Sequence, residues 1–96
     1  MQTLLDITIR IPSMLRSYTE NREVVVVQAS TPREAIGSLC SLYPELSANL
    51  TNQSGELRDF VNVFVDSKRI SNHDSQFDDA LEEGGTLTLM LAVAGG

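Results

Sequence analysis

Residues 5–11 read Leu5-Asp6-Ile7-Thr8-Ile9-Arg10-Ile11, and residues 86–91 read Thr86-Leu87-Thr88-Leu89-Met90-Leu91. In both stretches an apolar side chain falls on every second residue, the period of a strand with one buried and one wet face. They are the best-patterned strands of the chain, and they stand at its two ends. A physically sensible packing lays them side by side in the middle of one sheet, with the intervening residues supplying the flanks and a covering layer.

The intervening residues fit that scheme. Pro12 removes a ladder donor and ends the first strand, and the polar stretch through Asn21 reads as a connecting loop. Glu23 to Ala29 holds four consecutive valines and reads as a second strand, paired with the first in an antiparallel hairpin. Thr31-Pro32-Arg33-Glu34 offers an N-cap hydroxyl, a proline at the first helical position and a glutamate at the third, a capping box that starts a helix. Ala35, Ile36, Leu39, Cys40, Leu42 and Tyr43 then recur at helical spacing until Pro44 restricts Tyr43.

Leu46 and Leu50 suggest one further short turn, and Thr51 to Glu56 reads as an exposed loop. Phe60 to Val65 is a third strand, and Asp66-Ser67-Lys68-Arg69 is a turn into a short edge strand near Ile70. Between Ser71 and Glu83 only Phe77, Ala80 and Leu81 offer burial, enough for a single helical turn under a polar loop. Gly84-Gly85 releases the chain into the last strand. This order predicts an α+β β-grasp, a mixed sheet of four to five strands with one main helix packed across it. The alternative is a ferredoxin-like α+β sandwich, which requires a second long helix where residues 71–83 offer a polar loop.

A chain of 96 residues suffices for one domain. No apolar run approaches the ~20 residues of a membrane-spanning helix, and residues 1–11 lack the basic start and continuous apolar stretch of a secretory signal. The expectation is a cytoplasmic protein with no membrane partner. The single cysteine, Cys40, precludes an internal disulfide and a thiolate-held cluster within one chain. A net charge of −6 argues against nucleic acid and favours a protein partner with a neutral or basic docking face.

Few residues qualify for chemistry. Cys40 shares the apolar helix face with Ile36 and reads as a buried structural thiol, dispensable for function. His73 lies in a polar loop as a solvated surface histidine, and Asp78, Asp79, Glu82 and Glu83 lack the spacing of a calcium loop. Gly84-Gly85 precedes a strand and has no Lys-Ser or Lys-Thr after it, so no phosphate loop is present. No metal and no cofactor are expected.

What remains is Ala92-Val93-Ala94-Gly95-Gly96, which follows a core strand and has no charged or large side chain. Two terminal glycines by themselves suit a frayed end. Behind a core strand, however, five extended residues reach ~17 Å, and glycines without Cβ atoms can enter a narrow channel and present a carboxylate at its far end.

With that tail the chain resembles, over nearly its whole length, the MoaD/ThiS family of ubiquitin-like sulfur carriers. Four segments carry the resemblance: Ile11-Pro12-Ser13-Met14-Leu15-Arg16, Phe60-Val61-Asn62-Val63-Phe64-Val65-Asp66, the acidic-glycine turn from Asp79 to Gly85, and the tail itself. The first two look closest to the carriers that supply sulfur for cysteine synthesis. Glu83-Gly84-Gly85 departs from a pattern in which a glycine is followed by an acid, which implies a slightly different turn.

The resemblance implies a carrier, not an enzyme. An E1-like adenylating and sulfurtransferase enzyme would activate the Gly96 carboxylate, a sulfur donor would displace AMP, and the thiocarboxylate would serve a pyridoxal-phosphate cysteine synthase. Alternatives are the small subunit of molybdopterin synthase, working with that enzyme's large subunit, or a modifier conjugated to proteins through Gly96. A plain interaction module with an inert tail is a third class.

Residues 1–91 would form the β-grasp domain and 92–96 the activation tail, with Val93, Ala94 and Gly95 gripped by the partner. Strand alternation turns Val61, Val63 and Val65 toward the helix and Phe60 and Phe64 outward, where Met90 and Arg10 join them in an apolar patch with a basic edge. Alone, the chain is expected to be a monomer.

Overall fold

The computed structural model describes residues 4–54, 56–70 and 75–92. Five strands, β1 (Leu5–Arg10), β2 (Val24–Ala29), β3 (Val61–Val65), β4 (Lys68–Ile70) and β5 (Thr86–Leu91), form one sheet in the order β2-β1-β5-β3-β4. The two end strands of the sequence are therefore central neighbours, and they run parallel, with Ile9 beside Leu87. Every other pairing is antiparallel. A parallel pair needs a long crossover, and here nearly the whole chain supplies it.

The inward residues of the strands, Ile7, Ile9, Val25, Val27, Val63, Leu87 and Leu89, are buried. Against them lies α1 (Pro32–Leu42), which contributes Ala35, Ile36 and Leu39. This is the β-grasp arrangement.

The capping box forms with a shift of one residue. Thr31 Oγ1 accepts from the Glu34 N–H at 3.2 Å, as expected, whereas the Glu34 carboxylate accepts from the N–H of Ser30 at 2.9 Å and from the Ser30 hydroxyl. These bonds hold the Glu34 pKa below its ordinary value.

Three local expectations need correction. The stretch after Pro12 is not an irregular loop: Ser13–Thr19 is a 3-10 helix that buries Leu15 and Thr19. Thr19 Oγ1, fully buried, bridges the carbonyls of Arg16 and Arg22, so its polar group is satisfied inside. The single turn expected near Leu46 is a seven-residue helix, α2 (Pro44–Leu50), because Leu46 and Leu50 are one helical repeat apart and both fully buried. Lys68 and Arg69 are in β4, and the β3–β4 turn is Asp66-Ser67, with Asp66 at φ 56.

The turn before β5 requires both of its glycines, for different reasons. Gly84 has φ 76, in the left-handed region. A Cβ at Gly85 would meet the Glu82 carbonyl oxygen at 3.0 Å, and the Gly85 carbonyl accepts from the Thr8 N–H at 3.1 Å where β5 joins β1. Ahead of that turn, Phe77 and Leu81 are buried and Ala80 is exposed. Phe77 belongs to a short 3-10 turn, Ser75–Asp78, that closes the helix side of the sheet.

Candidate functional site

The sheet face opposite α1 has no layer over it among the described residues. Strand registers place Val24, Arg10, Thr88, Phe64 and Arg69 in one row across all five strands, because Arg10 pairs with both Val24 and Thr88, and Phe64 with both Thr88 and Arg69. Met90 stands one step along β5, paired with Asn62. Phe60 is 43 % exposed and Met90 51 %, Arg10 is exposed, and Phe64 is half-buried. Val61 and Val63 face the core, with Val65 half-buried against it. The expected outward patch of Arg10, Phe60, Phe64 and Met90 is therefore brought to one face.

Arg69 was not foreseen as part of this face. Its position directly across from Phe64 follows from the register of a three-residue strand, too short to show an alternation of its own. With Arg10 it brackets Phe64 with positive charge, although the chain as a whole is acidic. A third cation, Arg16, lines a groove of about 350 Å³ between the 3-10 helix and the end of β5, together with Arg10, Met14, Met90 and Leu91. Arg16 is held there by donation from its Nε to the Ile11 carbonyl at 3.0 Å. A protein partner with an acidic rim fits this face better than the net charge suggests.

The root of the tail lies at the edge of the same patch. The Ala92 N–H donates to the Phe60 carbonyl at 2.7 Å, one step beyond the Val61–Leu91 pair that ends the β3–β5 ladder. The chain thus leaves from β5, which pairs with β1 through Thr86–Thr88 and with β3 through Leu87–Leu91. Val93, Ala94, Gly95 and Gly96 lie outside the described residues, as does His73.

Cys40 sits on the other side of the molecule, half-buried, in a groove of about 310 Å³ lined also by Arg33, Ile36, Ser47 and Phe77. Burial pushes the thiol pKa above its ordinary value, which favours the neutral thiol over the thiolate. Of the acidic group, Asp78 is tied to Arg33 by a bidentate pair at 2.7 and 3.2 Å, and Arg33 also stacks over the Phe77 ring at 4.9 Å. Among the described residues no three metal-ligating side chains converge. No described helix is long and apolar enough to cross a membrane.

No family model matches the chain. The sulfur carrier protein CysO of Mycobacterium bovis is 30 % identical over 94 residues, 96 % of this chain and 100 % of the relative. A chain in the crystal structure of the Amycolatopsis orientalis BexX/CysO complex superposes with a TM-score of 0.79 at 30 % identity, covering 94 % of this chain and 99 % of that one. SAMP1 from Haloferax volcanii has a TM-score of 0.80 at 22 % identity over 95 % of this chain and 99 % of its own, a likeness of fold alone.

Proposed function

This chain belongs to the family of the sulfur carrier protein CysO, and from that premise we propose that it carries sulfur as a thiocarboxylate on Gly96 for cysteine biosynthesis. The supporting observation is the 30 % identity sustained through the full length of the relative. In this reading residues 1–91 are a rigid handle and residues 92–96 the working arm. The root of the arm is held to β3 by the Val61–Leu91 pair, and the Ala92–Phe60 bond sets its direction.

The chemistry is acyl activation by a partner. A Gly96 carboxylate oxygen attacks the α-phosphorus of ATP and pyrophosphate leaves, giving an acyl adenylate. A sulfur nucleophile then adds to that carbonyl, and AMP departs with the electron pair of the broken carbon–oxygen bond. The thiocarboxylate is a soft nucleophile that stays covalently attached, so no free sulfide is released. This chain contributes the reacting carboxylate and the docking surface; an E1-like enzyme contributes ATP and catalysis, and a pyridoxal-phosphate cysteine synthase consumes the sulfur.

Each named residue has a place in this scheme. Arg10, Phe60, Phe64 and Met90 dock on the partner, while Val93, Ala94 and Gly95 thread its channel. Gly95 and Gly96 suit a narrow passage because neither has a Cβ. That a CysO is found in complex with BexX supports the idea of a folded carrier seated on a second protein.

The test combines pyrophosphate release with intact-mass measurement, using the E1-like enzyme of the same host, ATP and a sulfur source. The full chain should gain the mass of one oxygen-to-sulfur exchange and then lose that sulfur to the pyridoxal-phosphate synthase supplied with a serine whose hydroxyl is activated as a leaving group. Deleting Gly96 withdraws the carboxylate by ~3.5 Å, and release should fall by about 100-fold or more with the melting temperature unchanged. Wild-type rates in the deletion would overturn the assignment of Gly96. Lysine adducts would mark a protein modifier, an unchanged mass an inert tail, and sulfur accepted only by a molybdopterin synthase large subunit a different destination.

A further inference from the structure

The two edges of the sheet are treated differently. β4 is three residues long and carries exposed Lys68 and Arg69, so brevity and charge guard it. β2 is six residues long, has no proline or lysine, and is uncharged from Val24 to Ala29. Val24 and Val26 are exposed on it to 45 % and 58 %.

The ladder shows which backbone groups of β2 are free. Ile11 N–H donates to the Glu23 carbonyl, so Ile11 and Glu23 form a hydrogen-bonded pair in the β1–β2 register. Antiparallel pairs alternate, and Val25, Val27 and Ala29 therefore bond to β1 while Val24, Val26 and Gln28 turn their N–H and C=O groups outward. Ser38 Oγ donates to the Gln28 carbonyl at 3.5 Å, as that parity requires. Leu42, one helical repeat beyond Ser38 and 58 % exposed, flanks the same edge on the helix side.

We propose that β2 pairs antiparallel with β2 of a second copy of this chain, about a two-fold axis at Val26. This register uses all three outward-facing residues: Val26 meets its own copy, and Val24 meets Gln28. It also sets no like charges face to face, since Glu23 falls opposite Ala29 and Arg22 opposite Ser30. On the uncovered face the two outer rows across the junction run Asp6, Gln28, Val24, Arg10 and the central row Thr8, Val26, Val26, Thr8, so each outer row carries an acid on one copy and a base on the other.

Because β5 is antiparallel to β2 in direction, the two-fold sends the two Ala92 ends out of opposite ends of the joined sheet. Pairing leaves both arms accessible, and it stands or falls independently of the sulfur chemistry.

The experiment is sedimentation equilibrium of the full chain from micromolar to millimolar concentration, with amide hydrogen exchange at both extremes. A reversible dimer is expected, with the Val24 and Val26 amides gaining protection as concentration rises. Val26→Lys places like charges directly opposite each other and should weaken association about tenfold or more, while circular dichroism stays unchanged because the side chain is exposed. Should that variant fail to fold, the exchange comparison on the unaltered chain decides. A monomer at millimolar concentration, or a dimer whose Val24 and Val26 amides exchange as fast as in the dilute chain, would overturn the proposal.

Discussion

Along β5, Leu87 and Leu89 are exposed by 0 % and 1 %, while the alternating Thr86, Thr88 and Met90 look out on the other side. The covered face repeats this in Ile7 and Ile9, and the uncovered face in Thr8 and Arg10. One set of strands thus carries two independent surfaces, because a period of two sends neighbouring residues to opposite sides. Away from Lys68 at its edge, the covered face is apolar and holds the fold. The uncovered face mixes Phe64, Met90 and threonines with Arg10 and Arg69, a composition that leaves packing unaided but suits a partner with an acidic rim.

The comparison is broken most severely from the covered side. Leu87→Ala removes a fully buried side chain flanked by Ile9 of β1 and Val65 of β3, and should cost about 2–5 kcal/mol in denaturant unfolding. Carrier activity per folded molecule should be preserved. A loss of less than about 1 kcal/mol would mean that the two faces contribute alike to stability.

Phe64→Ala tests the other side and should reverse the pattern. The activating enzyme's KM for the carrier should rise about tenfold, the effect of a central interface aromatic, with a smaller stability loss than Leu87→Ala. A collapse in thermal stability with unchanged KM would place Phe64 with the core.

The smallest effect concerns the Arg33–Asp78 clasp, which pins the short turn bearing Phe77 over the helix side. Arg33 holds the Asp78 carboxyl below its ordinary pKa, so any stability it adds is present above the usual carboxylate range and is lost as pH falls through the lowered value. Both side chains are largely exposed, so the contribution is small. Melting curves of wild type and Asp78→Asn should differ slightly near neutral pH and converge in acid; a gap that persisted in acid would show that the pair's charge is not what holds the turn.

Much of this was legible in the chain because it rests on local periodicity. The alternation in residues 5–11 and 86–91, the box at Thr31 to Glu34 and the outward turn of Phe60, Phe64 and Met90 need only neighbours within a few residues. The 3-10 helix at Ser13–Thr19 was not legible, because its burial rests on Leu15 and a threonine whose hydroxyl is satisfied by carbonyls three residues away on either side. The length of α2 was underestimated for a similar reason, as two leucines in seven residues carry little periodic signal.

The sequence by itself determined the kind and chain order of the main strands, the helix start and the lone thiol, since each depends on residue type and spacing along the chain. Tertiary structure alone decided that β1 and β5 run parallel, that Arg69 lies across from Phe64, that Arg33 reaches Asp78, and that β2 is left as an open edge. Those facts depend on register and pairing between residues many positions apart, and a strand's own pattern specifies which face it buries but not which neighbour it meets.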